Sequence, residues 1–263
     1  MKFIDTIFTA FNLENYIDLL IVLTHKEIKV RYKSSVLGYL WSVANPLAIA
    51  MVFFVAFKII MRIQIEAYTL VLIAGLFPWQ SFANSVNASP MIFLANASII
   101  KKVNFPRHIL PLVNVLQDTI HFIIAIPVIV IFMLIYHRFP SWNWFYGIPM
   151  LLAIQVCMVY GISLLISTIN LFFRDMERIT AILMMFIFYL TPIVFPESMV
   201  PEQYRWALKF SPLATLMINW RKLFLEGSID WVYLGLSVFY AVLLLFIGYA
   251  VYKKLSWKFA EVL

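Results

Sequence analysis

The chain has 263 residues, of which 63% are hydrophobic and 13% are charged, whereas ordinary soluble domains are about 45–50% apolar and about 25% charged. A water-soluble fold is excluded, because it could not hide that much apolar surface. The formal charge of +7 does not indicate nucleic-acid binding, since basic residues of apolar chains usually lie at cytoplasmic lipid headgroups. The single cysteine, Cys157, excludes an internal disulfide framework and a metal cluster of the usual Cys/His spacing.

The N-terminal region predicts no cleavable signal peptide. Four polar residues interrupt its short apolar groups: Lys2, Asp5, Asn12 and Glu14. Residues 16–33 begin apolar, end basic and are too charged to span a bilayer. They predict an amphipathic helix in the interface plane, with its basic side toward phosphates or a cytosolic partner. The alternative is a basic flank that only anchors the first span.

Six apolar runs are long enough to cross about 30 Å of hydrocarbon, which takes roughly 20 helical residues. They lie at 37–57, 68–89, 109–135, 148–171, 179–195 and 232–252. If the N-terminus is inside, 13 of the 20 Lys and Arg residues fall in inside segments, which predicts that both termini are cytoplasmic. The predicted fold is one all-α integral membrane domain, 1–263, with six transmembrane helices.

The second run mixes aromatic with small polar side chains. Its members are Phe77, Trp79, Phe82, Asn84, Ser85, Asn87 and Ser89. Polar groups beside aromatic faces would suit a passing sugar chain. The alternative is an ordinary belt of aromatic residues at the membrane interface.

The third run carries four polar residues on one helical face, because they are spaced i, i+3, i+4 and i+7. They are Asn114, Gln117, Asp118 and His121. Ionisable groups inside a membrane usually face a bundle interior or a water-filled path, so the stripe indicates a transport lumen. The alternative is hydrogen bonding between helices, with Asp118 pairing to His121 one turn on.

Three further segments, which lie between or beside the predicted spans, carry structural or functional predictions. Two loops are short and charged: SIIKKVNFPRH at 98–108 and FFRDMER at 172–178. A cytosolic motor protein could bind them, although their basic residues could instead only determine the membrane topology. The segment 196–230 holds three prolines and two apolar stretches too short to cross, at 206–210 and 213–220. A re-entrant hairpin is favoured there over surface helices.

The sequence lacks the motifs of common enzyme sites. HExxH, CxxC and GxSxG are absent, and no glycine precedes a lysine as in a phosphate-binding loop. We therefore predict no catalytic residue, no metal site and no cofactor in this chain. If ATP drives this protein, another polypeptide binds the ATP and its Mg. An intramembrane enzyme with Asp118 and His121 as acid and base is the weaker hypothesis.

Five motifs in order resemble those of the ABC-2 type permeases: RYKSSVLGYLWSVANPL at 31–47, LFPWQ at 76–80, IIKKVNFPR at 99–107, NLFFRD at 170–175 and YLTPIVF at 189–195. The likeness covers nearly the whole chain and is greatest to the O-antigen polysaccharide export permeases of Gram-negative bacteria, with capsule and teichoic acid exporters as near relatives. It implies six spans, an interfacial N-terminal helix and a re-entrant pair of short helices before the last span. It also implies a homodimer with two copies of a separate ATPase, whose channel passes an undecaprenyl-diphosphate-linked glycan across the inner membrane.

The resemblance also implies roles for individual residues. The ATPase-coupling set is Lys26, Lys29, Arg31, Lys33, Lys101, Lys102, Pro106, Arg107, Arg174 and Asp175. The substrate path would include Phe77, Trp79, Tyr189 and Phe195 near the outer mouth, together with Phe82, Asn84, Asn87 and the polar stripe of the third run. A small-molecule or drug exporter is the alternative cargo class, which a narrower and more uniformly apolar lumen would favour.

Overall fold

The computed structural model describes residues 13–33, 38–103 and 105–262. Helices joined by short turns make up these ranges, which contain no β-strand. The all-α class predicted from the sequence is therefore confirmed. The prediction that no signal peptide precedes the first span concerns mainly residues 1–12, which lie outside the described ranges. The predicted start of that span, residue 37, also lies outside them.

The helices are named here in chain order. They are α1 (Leu13–Tyr32), α2 (Trp41–Phe53, continued by a π-helix over Phe54–Ile60), α3 (Tyr68–Ala88), α4 (Ile92–Ala95), α5 (Ala97–Lys102), α6 (Ile109–Ile135), α7 (Trp144–Asn170), α8 (Met176–Leu190), α9 (Glu202–Leu208), α10 (Pro212–Glu226), α11 (Trp231–Leu255) and α12 (Phe259–Val262). Single 3-10 turns lie at Gly38–Leu40, Ser89–Met91, Glu197–Met199 and Ser256–Lys258.

Four helical stretches in the described ranges are long and apolar enough to cross a membrane: Trp41–Ile60, Ile109–Ile135, Trp144–Asn170 and Trp231–Lys258. Helix α3 has 21 residues, but its polar side chains lower its hydropathy. Helix α8 has only 15 residues, fewer than the roughly 20 that a span requires. All six predicted runs are thus largely helical, and α6 coincides with the predicted run 109–135.

Helix α8 ends five residues before the predicted end of its run. Thr191 is extended, with φ −95° and ψ 140°, because the ring of Pro192 disfavours the helical region for the residue before it. Residues 191–194 are nevertheless buried. The Arg221 guanidinium of α10 holds this irregular stretch by donating to the Ile193 carbonyl at 2.6 Å and to the Phe195 carbonyl at 2.8 Å.

Helix α10 lies inside the bundle, where it packs against α3, α7 and α11. Ser211 caps its first turn by accepting from the Ala214 amide, and Gly227 ends it at φ 64°, a conformation that glycine adopts without steric cost. The Trp220 side chain is completely buried, and its indole N–H donates to Gln155 Oε1 at 2.8 Å. Of the two short apolar stretches predicted in 196–230, the second therefore belongs to the core, while α9 stays largely exposed.

Helices α7 and α11 approach each other closely at two glycines. A Cβ atom on Gly161 would lie 2.5 Å from the backbone of Leu244, and one on Gly248 would overlap the Gly161 carbonyl. Small residues at such crossings let helix backbones meet, which is how helices associate in a membrane.

Asp230 caps the last long helix. Its carboxylate accepts from the Val232 and Tyr233 amides at 3.1 and 3.2 Å and from Lys222 Nζ at 2.8 Å. Partial burial acts to raise the pKa of this carboxyl, but these donors outweigh it and hold the pKa below the ordinary value of 3.8.

We expect Asp230→Ala to destabilise the detergent-solubilised protein by about 1–2 kcal/mol, because two amides of α11 and the Lys222 ammonium lose their acceptor. Asp230→Asn keeps an oxygen for the amides and should cost less. Thermal unfolding followed by circular dichroism compares the two variants with the parent. Equal midpoints for Asp230→Ala and the parent would show that the cap contributes nothing.

Candidate functional site

A buried carboxylate joins three helices. Arg31 Nη1, in the last turn of α1, donates to Asp118 Oδ1 of α6 at 2.7 Å. From α3, Ser85 Oγ donates to Asp118 Oδ2 at 2.7 Å, and Ser81 Oγ donates to the Asp118 carbonyl at 3.2 Å. The Asp118 side chain is 1% exposed and that of Arg31 is 36% exposed. A charge this deeply buried requires a partner of opposite charge, and Arg31 supplies it.

A pocket of about 370 Å³ lies beside this ion pair, within the size range of small-molecule sites. We call it the Arg31 pocket. Its lining combines one cation and one carboxylate with hydroxyl, amide, imidazole and aromatic groups. The residues are Arg31, Trp41, Ser42, Asn45, Pro46, Phe77, Gln80, Ser81, Asn84, Asp118, His121, Phe122 and Ala125.

The polar stripe predicted on the third run divides between two pockets. Asp118 and His121 line the Arg31 pocket, while Asn114 and Gln117 line a smaller one of about 170 Å³. The sequence left open a pairing of Asp118 with His121. In the structure the two carboxylate oxygens of Asp118 accept from Arg31 and Ser85, so the ion pair links distant segments of the chain.

The aromatic and polar residues of the second run also separate. Phe77 and Asn84 line the Arg31 pocket. Trp79 and Phe82 are buried in the core, where the Trp79 ring lies 5.9 Å from that of Phe82 and 5.3 Å from that of Phe188. Asn87 is exposed and lies outside the lining. Burial thus gives Trp79 and Phe82 a packing role that the sequence could not distinguish from a place in the path.

The two remaining path candidates lie on either side of the end of α8. Tyr189 is 64% exposed and packs edge to face against Phe188. Phe195 is half-buried, packs against the core, and its carbonyl accepts from Arg221. Neither residue lines the Arg31 pocket.

Most of the predicted coupling residues are exposed side chains. This group comprises Lys26, Lys29, Lys33, Lys101, Lys102, Arg174 and Asp175. Arg31 is also exposed, but its guanidinium is paired with Asp118. Pro106 and Arg107 are half-buried, and Arg107 Nη1 donates to the Ser256 carbonyl at 3.1 Å, with its guanidinium carbon 5.9 Å from the centre of the Phe259 ring.

A second apolar core gathers the coupling segments. We call it the Phe259 cluster, and its buried members are Ile92, Phe93, Ile100, Phe105, Leu110, Leu164, Leu171 and Phe259. Leu19 and Leu23 of α1 pack against it. The cluster therefore joins α1, residues 92–103 with Phe105, and the C-terminal Phe259 into one packed unit.

Sequence reasoning missed the C-terminal contribution to this unit. The available signal was Phe259, an aromatic residue that follows the last span. A further link is made by Tyr16 of α1, whose hydroxyl lies 3.2 Å from His108 Nε2. Burial disfavours the charged imidazolium and lowers the pKa of His108 from its ordinary value of 6.5.

Residues 18–225 match the family model described as "ABC-2 type transporter". The chain belongs to the ABC-2 type transporter family. This ABC-2 chain is 47% identical over 253 residues to the O-antigen export system permease protein RfbA of Klebsiella pneumoniae, covering 96% of this chain and 98% of the relative. Identity to the protein of the same name from Myxococcus xanthus is 28% over 252 residues, 95% and 96% of the two chains.

A more distant relative is the polysialic acid transport protein KpsM of Escherichia coli, 25% identical over 236 residues that cover 87% of this chain and 90% of KpsM. The resemblance found in the five motifs is thereby confirmed. As an ABC-2 permease the chain is a multi-pass membrane protein that works with a partner ATPase. It is a transporter subunit and not an enzyme, as the resemblance implied.

We expect Arg31→Gln to lower stability by about 2 kcal/mol, because it leaves the Asp118 carboxylate buried beside neutral partners. Lys29→Gln, a matched change at an exposed position of the same helix, should have little effect. The double variant Arg31→Gln/Asp118→Asn should recover part of the loss, since neither unpaired charge remains. Thermal unfolding of these variants in one detergent compares their stabilities. Equal losses for Arg31→Gln and Lys29→Gln would contradict a stabilising role for the ion pair.

Proposed function

We propose that this chain is the membrane-spanning subunit that exports undecaprenyl-diphosphate-linked O-antigen polysaccharide across the bacterial inner membrane. The observation that carries the proposal is the 47% identity, over nearly the full length of both chains, to permeases named for O-antigen export. The polar lining of the Arg31 pocket supports a hydroxyl-rich cargo.

In this proposal the chain crosses the membrane six times, with both termini in the cytoplasm. Helix α3 counts as a span because its neighbours bury most of its side chains, and its Gln80 and Asn84 line the Arg31 pocket. Helix α8, together with the buried residues 191–194, supplies the fifth crossing. Helices α9 and α10 form the re-entrant pair, supported by the burial of α10 against three of the proposed spans.

We further propose that two copies of the permease form the channel between them. In the most apolar part of the first span only 11% of the residues are buried within one copy, against 50% in the corresponding part of α7. Helix α8 likewise exposes apolar side chains, among them Ile182, Phe186 and Leu190. A second copy covering these surfaces would enclose a path that one copy does not.

In this proposal ATP hydrolysis in two copies of the partner ATPase powers export, and this sequence itself has no phosphate-binding loop. The exposed basic residues of α1 and α5, with Arg174 and Asp175, provide the docking surface. A partner changes the permease only through contacts that differ between its two states. The route we propose runs from α1 through Arg31 to Asp118 and the pocket wall.

Two other cargoes receive less support. Capsule-type polysaccharide is favoured only by the 25% identity to KpsM. A small-molecule or drug exporter calls for a more uniformly apolar lumen than the Arg31 pocket provides.

The decisive experiment deletes the gene for this chain in its host, stains surface polysaccharide and assays the lipid-linked polymer inside the cell. We expect surface polymer to disappear and the lipid-linked form to accumulate, and re-expression of the permease with the ATPase from its own genomic neighbourhood should restore export. Normal surface polymer after deletion would overturn the assignment in favour of another cargo.

The coupling surface generates a separate prediction. Lys101→Glu/Lys102→Glu should uncouple ATP hydrolysis from export, because both side chains are exposed on α5 and the change reverses their charge. Surface polymer and ATPase activity of the purified complex are measured together. The control is Lys209→Glu, an exposed lysine on the opposite side in the proposed topology, which should leave both unchanged. Unimpaired export in the double variant would contradict the coupling role.

A further inference from the structure

We infer that the Arg31 pocket is a binding subsite for sugar rings of the exported glycan, formed within a single copy of the chain. The inference rests on the proposed export of polysaccharide and specifies where the permease recognises it. With a volume of about 370 Å³, near the lower end of the roughly 300–1,000 Å³ of small-molecule sites, the pocket admits a short stretch of glycan.

The aromatic part of the lining matches one side of a sugar ring. A pyranose has an apolar face of C–H groups and a rim of hydroxyls. Trp41 lines the pocket with 52% of its surface exposed, and its rigid indole offers a large apolar area at low entropic cost. Phe77 and Phe122 contribute apolar surface deeper in the wall.

The amide part of the lining matches the hydroxyl rim. Sugar hydroxyls both donate and accept hydrogen bonds, and primary amides do the same. Gln80 Nε2 donates to Asn84 Oδ1 at 2.7 Å, which leaves the Asn84 NH₂ and the Gln80 oxygen to bond a ligand. Asn45 is an exposed amide on an apolar span and lines the same pocket, where a hydroxylated ligand would satisfy it.

The charges of the pocket favour a neutral ligand over the diphosphate of the lipid carrier. Among the described residues that line the pocket, Arg31 is the one Lys or Arg, and its guanidinium is already paired with Asp118 at 2.7 Å. A diphosphate placed here would compete with a buried carboxylate for a single cation. Neutral hydroxyl groups incur no such repulsion.

Cysteine protection tests the subsite. Cys157 is the single native cysteine, so Cys157→Ser provides a background into which Asn84→Cys or Asn87→Cys is introduced. These asparagines are exposed on the same helix, but only Asn84 lines the pocket. The permease with its ATPase, in nanodiscs, is labelled with a charged methanethiosulfonate reagent. The probes are lipid-free O-chain glycan released by mild acid from the host's own lipopolysaccharide, and inorganic pyrophosphate.

We expect the glycan to slow labelling at Asn84→Cys several-fold, to leave Asn87→Cys unchanged, and pyrophosphate to have no effect. Protection by pyrophosphate alone would overturn the inference in favour of a phosphate site, and protection by neither probe would also overturn it. If Asn84→Cys does not fold, Asn45→Cys on α2 reports on the same pocket. Adding Trp41→Ala should raise the glycan concentration needed for half-protection, whereas adding Trp41→Phe should leave that concentration unchanged.

The two proposals fail in different ways. Loss of surface polymer on gene deletion, combined with no protection at Asn84→Cys or Asn45→Cys, would overturn the subsite and leave the export function standing. Normal surface polymer after deletion would remove the export function itself, whatever the labelling shows.

Discussion

The contact between Arg31 and Asp118 determines the arrangement of the helices around the pocket. Transferring a carboxylate from water to an apolar interior costs several kcal/mol even after relaxation, and the Asp118 side chain is 1% exposed. The cost is offset only if a cation and further donors reach it. Because the cation is on α1 and a hydroxyl donor on α3, compensating this one charge brings α1, α3 and α6 together. Helix α1 is thereby attached to the bundle through its own basic side.

The same requirement for satisfied polar groups recurs where α8 ends. Pro192 interrupts the helix and leaves carbonyl groups without helical partners, which is tolerated in an apolar interior only when other groups bond them. Arg221 donates to two of these carbonyls and the Tyr68 hydroxyl to a third, at 2.9 Å. Gly75 makes this possible, because a Cβ atom there would overlap the Ile193 carbonyl. Polar bonding inside the bundle thus specifies both the pocket and the end of α8.

A permease driven by a separate ATPase must receive movement at one surface and respond at another. Exposed lysines can attract a partner, but flexible side chains transmit little displacement. The Phe259 cluster would provide a stiffer connection in the coupling that we propose, because closely packed interiors are barely compressible and this one joins α1, residues 92–103 with Phe105, and Phe259. Since α1 also carries Arg31, the coupling route that we propose would reach the pocket wall through a single helix.

The sequence by itself determined the membrane class and most helix positions, because a segment that crosses lipid must be long and apolar, and both properties can be read locally. Its five motifs determined the family. It also marked Asp118 and His121 as unusual, since ionisable groups are costly in an apolar run. Only the tertiary structure decided their partners. Arg31 and Asp118 are 87 residues apart, and Arg107 and Ser256 are 149 apart. Neither helical periodicity nor charge counting relates such distant positions, and whether an aromatic residue such as Trp79 lines a pocket or fills the core depends on which helix packs beside it.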